Sequence, residues 1–312
     1  MRGIITDPQA PGGLRLAGDL PEPDPAPGEV LVGVRAFSIN AGEVILIDQR
    51  PDGWRPGQDT AGVVLRAAAD GTGPPAGTPV VAYPEWHGWA ERIAVPSNWV
   101  AAVPPGISPA EAATLPVAGL TALRALRTGG AILGRNVLIT GATGGVGQFA
   151  VQLAVASGAR VTAQVGRPAR KDEARLLGAH QAVVSLDELS PDDGPFHLVL
   201  DAVGGPQLIQ VIRRLAPGAS VVLYGGLGGG TDDFRLRDFY QAGAYNARVI
   251  AFISTIPDET KGEDLAILAR LMADGRLRPQ IGWTADWTRT ADALAAMARR
   301  EFPGKAVLTI PG

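Results

Sequence analysis

The spacing of apolar residues changes rhythm near residue 136. Before that point the chain carries short runs in which apolar and polar positions alternate, such as Glu29–Ser38, Ala61–Arg66 and Thr78–Tyr83. A period of two is the mark of a half-buried strand. Turn-rich stretches such as Asp70–Gly77 separate the runs. The pattern predicts an irregular β-rich region. A helix opens at Ser108, where Ser108 and Glu111 have capping-box spacing and Pro109 suits the first helical position. A second helix is expected from about Gly119 to Arg127.

From Asn136 onward, apolar runs alternate with segments of helical period. Strands are expected at Val137–Thr140, Arg160–Val165, Ala182–Ser185, Leu198–Asp201, Ser220–Tyr224 and Val249–Ser254. Such alternation predicts an α/β fold with a doubly wound parallel sheet. The tail adds helices near Gly262–Asp274 and Arg289–Arg300, then the strand Lys305–Ile310, which most simply rejoins the first region. The expected division is therefore a β-rich domain of residues 1–118 and 257–312, and a nucleotide-binding domain of residues 119–256.

Within this pattern, Val137–Ala154 reads as a buried strand, a glycine turn and a helix. That order builds a phosphate site, because glycines let the backbone approach a pyrophosphate and the helix N-terminus offers free N–H groups. Thr143, Gly144, Gly145, Val146 and Gly147 are the expected contacts. No acidic residue precedes Asp172 at the end of the second strand, where one would bind the ribose hydroxyls of NAD. Gly166 is followed there by Arg167, Arg170 and Lys171, which suit a 2′-phosphate and select NADPH. Asp201 ends the strand Leu198–Asp201, where it either touches a ligand or is structural, the reading preferred here.

Composition narrows the function classes. Apolar residues make up 46% and charged residues 19%, with a net charge of −3, so no electrostatic pull toward nucleic acid or an anionic membrane is expected. No apolar run reaches the ~20 residues of a membrane span. The N-terminus is too poor in apolar residues for a secretory signal, so a cytoplasmic location is the default expectation. The chain has no Cys, which excludes disulfides and thiolate metal sites. No two of His87, His180 and His197 lie within one helical turn, which argues against zinc. A site of carboxylates with one distant His is the alternative left.

Several motifs, in order, resemble the medium-chain dehydrogenase/reductase superfamily: Ser38-Ile-Asn40, Gly57–Gly62, His87–Glu91, Leu115–Ala122, Gly141–Gly147, Leu177–Ala179, Asp201–Gly205 and Gly304–Leu308. Gln58 stands where zinc-dependent relatives carry a His. The resemblance is to the zinc-independent quinone oxidoreductase and enoyl reductase branch. It implies a GroES-like β-rich catalytic domain and a Rossmann domain. It places Asn40 and Thr121 near a nicotinamide, and substrate in a cleft between the domains. It also implies a homodimer through the apolar edge strand Val249–Ser254. Where quinone reductases tend to carry Tyr and Arg after the Asn turn, the segment Asn40–Asp48 of this chain has apolar residues instead. Thr121, Gly225 and Phe252 complete the cofactor-binding set.

The expected catalytic residues are Asn40 as donor to a substrate carbonyl, with Tyr83, His87, Tyr240 or water as proton donor. Tyr83, Trp86, His87 and Trp89, with Trp54 and Tyr240, either wall an apolar pocket or pack as core. The reading is an NADPH-dependent, zinc-independent oxidoreductase acting on a small conjugated carbonyl compound or a quinone. Two alternatives stay open. One is a biosynthetic enzyme of this fold with a different, non-redox reaction. The other is a nucleotide-sensing or RNA-binding protein, against which the acidic balance stands.

Overall fold

The computed structural model of the chain describes residues 1–226, 234–254 and 260–311. They form two compact units, one of Met1–Leu120 with Thr255–Gly312, the other of Thr121–Ser254. The boundary drawn from the sequence at 256/257 lies outside the described residues.

The first unit is built on a seven-stranded sheet. Its path runs Ile281–Asp286, Lys305–Thr309, Glu29–Ile39, Asp59–Arg66, Pro79–Ala82, Val100–Ala102, and Arg92–Pro96 pairs with Glu29–Ile39 off that path. Lys305–Thr309 adds antiparallel to Glu29–Ile39, with Ala306 opposite Ile39 and Thr309 opposite Ala36. The terminal strand thus rejoins the first region, as its isolation in the sequence implied. Its neighbour Ile281–Asp286, parallel to it, is absent from the sequence reading. Its alternate residues reach only partial burial, so its apolar signal is weak. Val30, Val32, Val34, Phe37, Ile93, Trp287 and Leu308 form the core of this unit. Phe37 stacks on Trp89 with ring centroids 5.3 Å apart. At Ser108 both halves of the capping box form.

The second unit is a six-stranded, all-parallel sheet. Across the sheet the strands are Gln181–Val183, Arg160–Gln164, Asn136–Ile139, Phe196–Asp201, Leu215–Leu223 and Arg248–Ala251. Numbered along the chain, that is the order 3-2-1-4-5-6 of a Rossmann fold. All six fall on expected strands, with ends shifted. The last one ends at Ala251, so Phe252 to Ser254 lie beyond it. No described helix is long and apolar enough to cross a membrane.

Candidate functional site

The switch point of the parallel sheet lies between Asn136–Ile139 and Phe196–Asp201, where the strand order reverses. The glycine turn leaves the first of these strands. Gly141 takes a φ of +61°, which favours glycine. The Ala142 N–H donates to the Gln164 carbonyl at 3.0 Å, which ties the turn to the neighbouring strand. Gly144 caps the helix Gly145–Ala156 without a side-chain bond. A Cβ on Gly147 would stand 2.3 Å from the Gly141 oxygen, so only glycine lets helix and turn approach. Gly144 is exposed and Gly145 and Val146 half-buried, whereas Thr143 and Gly147 are buried. The first three residues are the ones presented outward, at a helix end whose N–H groups lack intrahelical acceptors.

Asp201 closes the other side of the switch point. Its carboxylate accepts from the N–H groups of Val203 and Gly204, both at 3.1 Å, and from the Thr140 hydroxyl. It is the structural cap expected. A Cβ on Gly225 would stand 2.6 Å from the Ala202 oxygen, so Gly225 is also a position of close backbone approach. Phe252 is half-buried, and its N–H donates to the Leu223 carbonyl at 2.8 Å. Thr121 is buried and donates to the Ser254 hydroxyl at 2.7 Å, a partner the sequence reading did not name.

The basic cluster after Arg160–Gln164 is divided in the structure. Gly166 and Arg167 are exposed, a Cβ on Gly166 would meet nothing within 4 Å, and no acid pairs with Arg167 among the described residues. Arg170 instead is buried and pairs with Glu173 at 2.9 Å, and Lys171 pairs with Glu188 at 2.5 Å. The Lys171 ammonium, with the N–H groups of Val184 and Ser185, holds the Glu188 carboxyl at about 2. Both partners lie beyond Asp172, outside the end of the second strand where a ribose-binding acid would stand.

The first unit contributes a network of side chains. Asp59, the first residue of its strand, is buried and gathers four donors. Its Oδ2 accepts from the Ser38 hydroxyl, from Asn40 Nδ2 at 2.9 Å and from Lys305 Nζ at 3.0 Å. Its Oδ1 accepts from the Val117 N–H at 2.7 Å. Lys305 Nζ also donates to the Ile39 carbonyl at 2.9 Å and to Asn40 Oδ1 at 2.5 Å. Asn40 itself is half-buried and caps the short helix Ala41–Ile47, which the sequence reading missed. The two Glu43 carboxyl oxygens accept from the N–H groups of Asn40 at 2.8 Å and Gln58 at 3.0 Å. Burial, with the Asp59 carboxylate nearby, pushes the Glu43 carboxyl up to about 8. Ser38, Glu43, Asp59 and Lys305 were given no role from the sequence. The available signal was two charged residues, Asp59 and Lys305, set at the starts of mostly apolar strands, since such residues are rarely buried without a partner.

The aromatic cluster does not hold together. Trp89 belongs to the core, stacked on Phe37. Tyr83 is fully buried, with Lys261 Nζ over its ring at 4.4 Å, and the same ammonium lies 3.8 Å from the Trp99 ring. Trp54 and Trp86 meet edge to face at 5.0 Å, half-buried. His87 is exposed in the left-handed region, with φ +72°. Partial burial, and then the Arg55 guanidinium, lower the pKa of its ring. Tyr240 belongs to the second unit. It is 72% exposed and stacks edge-on against Tyr245. The structure therefore favours packing for Tyr83 and Trp89, and sets Tyr240 on the surface. Among the described residues, no group of three or more His, Cys, Asp or Glu could hold a metal ion.

Comparison with known proteins follows from this geometry. A family model described as a zinc-binding dehydrogenase matches residues 145–266. The acrylyl-CoA reductase AcuI of Ruegeria pomeroyi is 32% identical over 225 residues, covering 65% of this chain and 67% of that protein. The chain belongs to the medium-chain dehydrogenase/reductase superfamily. The phthioceranic/hydroxyphthioceranic acid synthase of Mycobacterium tuberculosis is 29% identical over 341 residues, covering 99% of this chain and 16% of that protein. The chain thus spans only a small part of the length of that relative. Among solved structures, the quinone oxidoreductase from Coxiella burnetii superposes with a TM-score of 0.83 at 26% identity, covering 100% of this chain and 99% of its own. Membership accounts for the glycine turn and for the β-rich unit that carries Asn40.

Proposed function

We propose that this superfamily member is an NADPH-dependent reductase that needs no metal and acts on an activated alkene or a quinone. The observation that carries the reading is the glycine turn at the switch point of a 3-2-1-4-5-6 parallel sheet. The residues fit a dinucleotide. Gly144, Gly145 and Val146 would meet the pyrophosphate at the helix N-terminus. The open space at Gly166 leaves room for the ribose, and Arg167 would meet the 2′-phosphate. The substrate class rests on relatives: one is named for the reduction of acrylyl-CoA, an unsaturated thioester, and another as a quinone oxidoreductase.

When bound, the dihydronicotinamide supplies the hydride. The chain must stabilise the negative oxygen that forms when hydride adds to the β-carbon. With no Cys for a thiolate zinc site and Gln58 in place of His, hydrogen-bond donors take the part of a Lewis acid. Asn40 supplies such a donor. Tyr83 is enclosed by packing and Tyr240 is 72% exposed, so His87 or water would supply the α-carbon proton. The proposal includes a homodimer through Arg248–Ala251, the outermost strand of the parallel sheet.

Two measurements test this reading. NADPH oxidation should be seen with trans-2-hexenal, crotonyl-CoA or 1,4-naphthoquinone, and should survive prolonged chelation. Loss of activity on chelation, restored by zinc, would overturn the metal-free part. Light scattering should give twice the 32.3 kDa chain mass. A monomer at micromolar concentration would remove the dimer.

A further inference from the structure

The orientation of the Asn40 amide is dictated by chemistry. An ammonium can only donate hydrogen bonds and an ionised carboxylate can only accept them. Asn40 lies between one of each: Lys305 Nζ is 2.5 Å from its Oδ1, and Asp59 Oδ2 is 2.9 Å from its Nδ2. The flipped amide would set N–H against the ammonium and C=O against the carboxylate. Both contacts would be repulsive, in a place where Asp59 and the Lys305 side chain are almost wholly buried. The three Lys305 hydrogens are all spent, on the Ile39 carbonyl, Asn40 and Asp59. Lys305 is therefore saturated and reaches a ligand only through Asn40.

We propose that Lys305 is a positioning residue that fixes Asn40 as a hydrogen-bond donor, leaving its second Nδ2 hydrogen for a developing negative oxygen of the substrate. The proposal rests on the reading of Asn40 given above. It deepens that reading by assigning a role to a lysine 265 residues away in the chain. Accepting from an ammonium also polarises the amide, which strengthens the N–H at its other end. Asp59 completes the arrangement: it holds one Nδ2 hydrogen and pairs with Lys305. Ser38 and the Val117 N–H hold Asp59 in turn.

The test combines kinetics with nuclear magnetic resonance. The side-chain amide pair of Asn40 is assigned by its disappearance in Asn40→Ala. In Lys305→Met that pair should shift, since Oδ1 loses its ammonium donor, and in Lys305→Met/Asp59→Asn it should also broaden, since no charge then selects one orientation. The kcat for trans-2-hexenal should fall at least about tenfold, with the KM for NADPH held within about twofold. The double variant Asn40→Ala/Lys305→Met should have the kcat of Asn40→Ala alone, because two residues that act as one unit are not additive. If Lys305→Met does not fold, Lys305→Met/Asp59→Asn removes both charges and is read in the same way. Multiplicative losses in the double variant, or unmoved amide resonances, would overturn the proposal. An unchanged kcat in Asn40→Ala overturns the donor reading itself. It is told apart from a failure of Lys305 because the amide resonances would still move in Lys305→Met.

Discussion

The two candidate regions are made of different materials. The one at the switch point is made of backbone: glycines, N–H groups and a helix end, all within the seven residues Gly141–Gly147. The one around Asn40 is made of side chains drawn from four separate segments, Ser38–Glu43, Gln58–Asp59, Val117 and Lys305. A backbone site tolerates almost any side chain that points away and almost none where a Cβ would intrude. A side-chain site depends on every donor finding its acceptor, because an unpaired buried polar group costs more than its bond contributes. Substitutions should therefore fail in different ways in the two regions: by steric exclusion in the first, and by charge and protonation in the second.

The largest expected effect breaks the first region by sterics alone. Gly147→Ala places a Cβ 2.3 Å from the Gly141 oxygen and 2.7 Å from the Ala142 Cα. Neither is a movable side-chain tip, so the helix must shift off the turn at a cost of about 3 kcal/mol. NADPH affinity by calorimetry should fall about a hundredfold. Alanine at the exposed Gly144 should cost less, since its Cβ would lie 3.1 Å from the Gly141 oxygen. Equal losses at the two positions would show that the turn is not held by close approach.

How far each region could be read from the sequence follows the same division. The glycine turn, its strand and its helix are contiguous, so period and composition were enough to place them. The capping box at Ser108 was legible for the same reason. The network at Asn40 was not: Asp59 and Lys305 stand in motifs that could be recognised, but 246 residues separate the two. Burial was the other blind spot. Tyr83 and Tyr240 are the same residue type in similar company, yet one is enclosed and the other is on the surface. The ion pairs of Arg170 and Lys171 were missed because Glu173 sits on the following helix and Glu188 on the short 3-10 helix Leu186–Glu188, one strand further on.

A second, smaller effect addresses the side-chain region through pH. The folded Glu43 carboxyl titrates at about 8, against 4.5 for the unperturbed group. Between those values the folded chain keeps a proton that the unfolded chain releases. The stability this contributes is complete below the unfolded value and is lost as pH rises through 8. Chemical denaturation should show stability falling from pH 5 to pH 8. Glu43→Gln should flatten that slope. It should also cost about 2 kcal/mol at pH 5, because one of the two N–H groups, of Asn40 or Gln58, would then face an amide N–H. Equal slopes in the two proteins would show that Glu43 is not the group that titrates.

The smallest effect sharpens the contrast at the edge of the backbone region, where one side chain is asked to add specificity. Three cations follow Gly166, but Arg170 and Lys171 are committed to Glu173 and Glu188. On the proposed reading, discrimination between NADPH and NADH is expected to fall largely on Arg167, which is exposed. An exposed guanidinium meets a phosphate in high dielectric and loses part of its interaction to salt. The expected preference for NADPH is about tenfold, or ~1.4 kcal/mol, and Arg167→Ala should remove most of it while leaving NADH affinity unchanged. Lys171→Ala should do little to the preference, since it removes a cation already neutralised. If Lys171→Ala instead matches Arg167→Ala, the Glu188 pair must open when the nucleotide binds, and the two cations act together. A preference that survives in Arg167→Ala would move recognition of the 2′-phosphate to groups other than this cluster. The same titration at 50 and 200 mM salt should narrow the preference, because a contact made by one exposed cation is screened where the buried network around Asp59 is not.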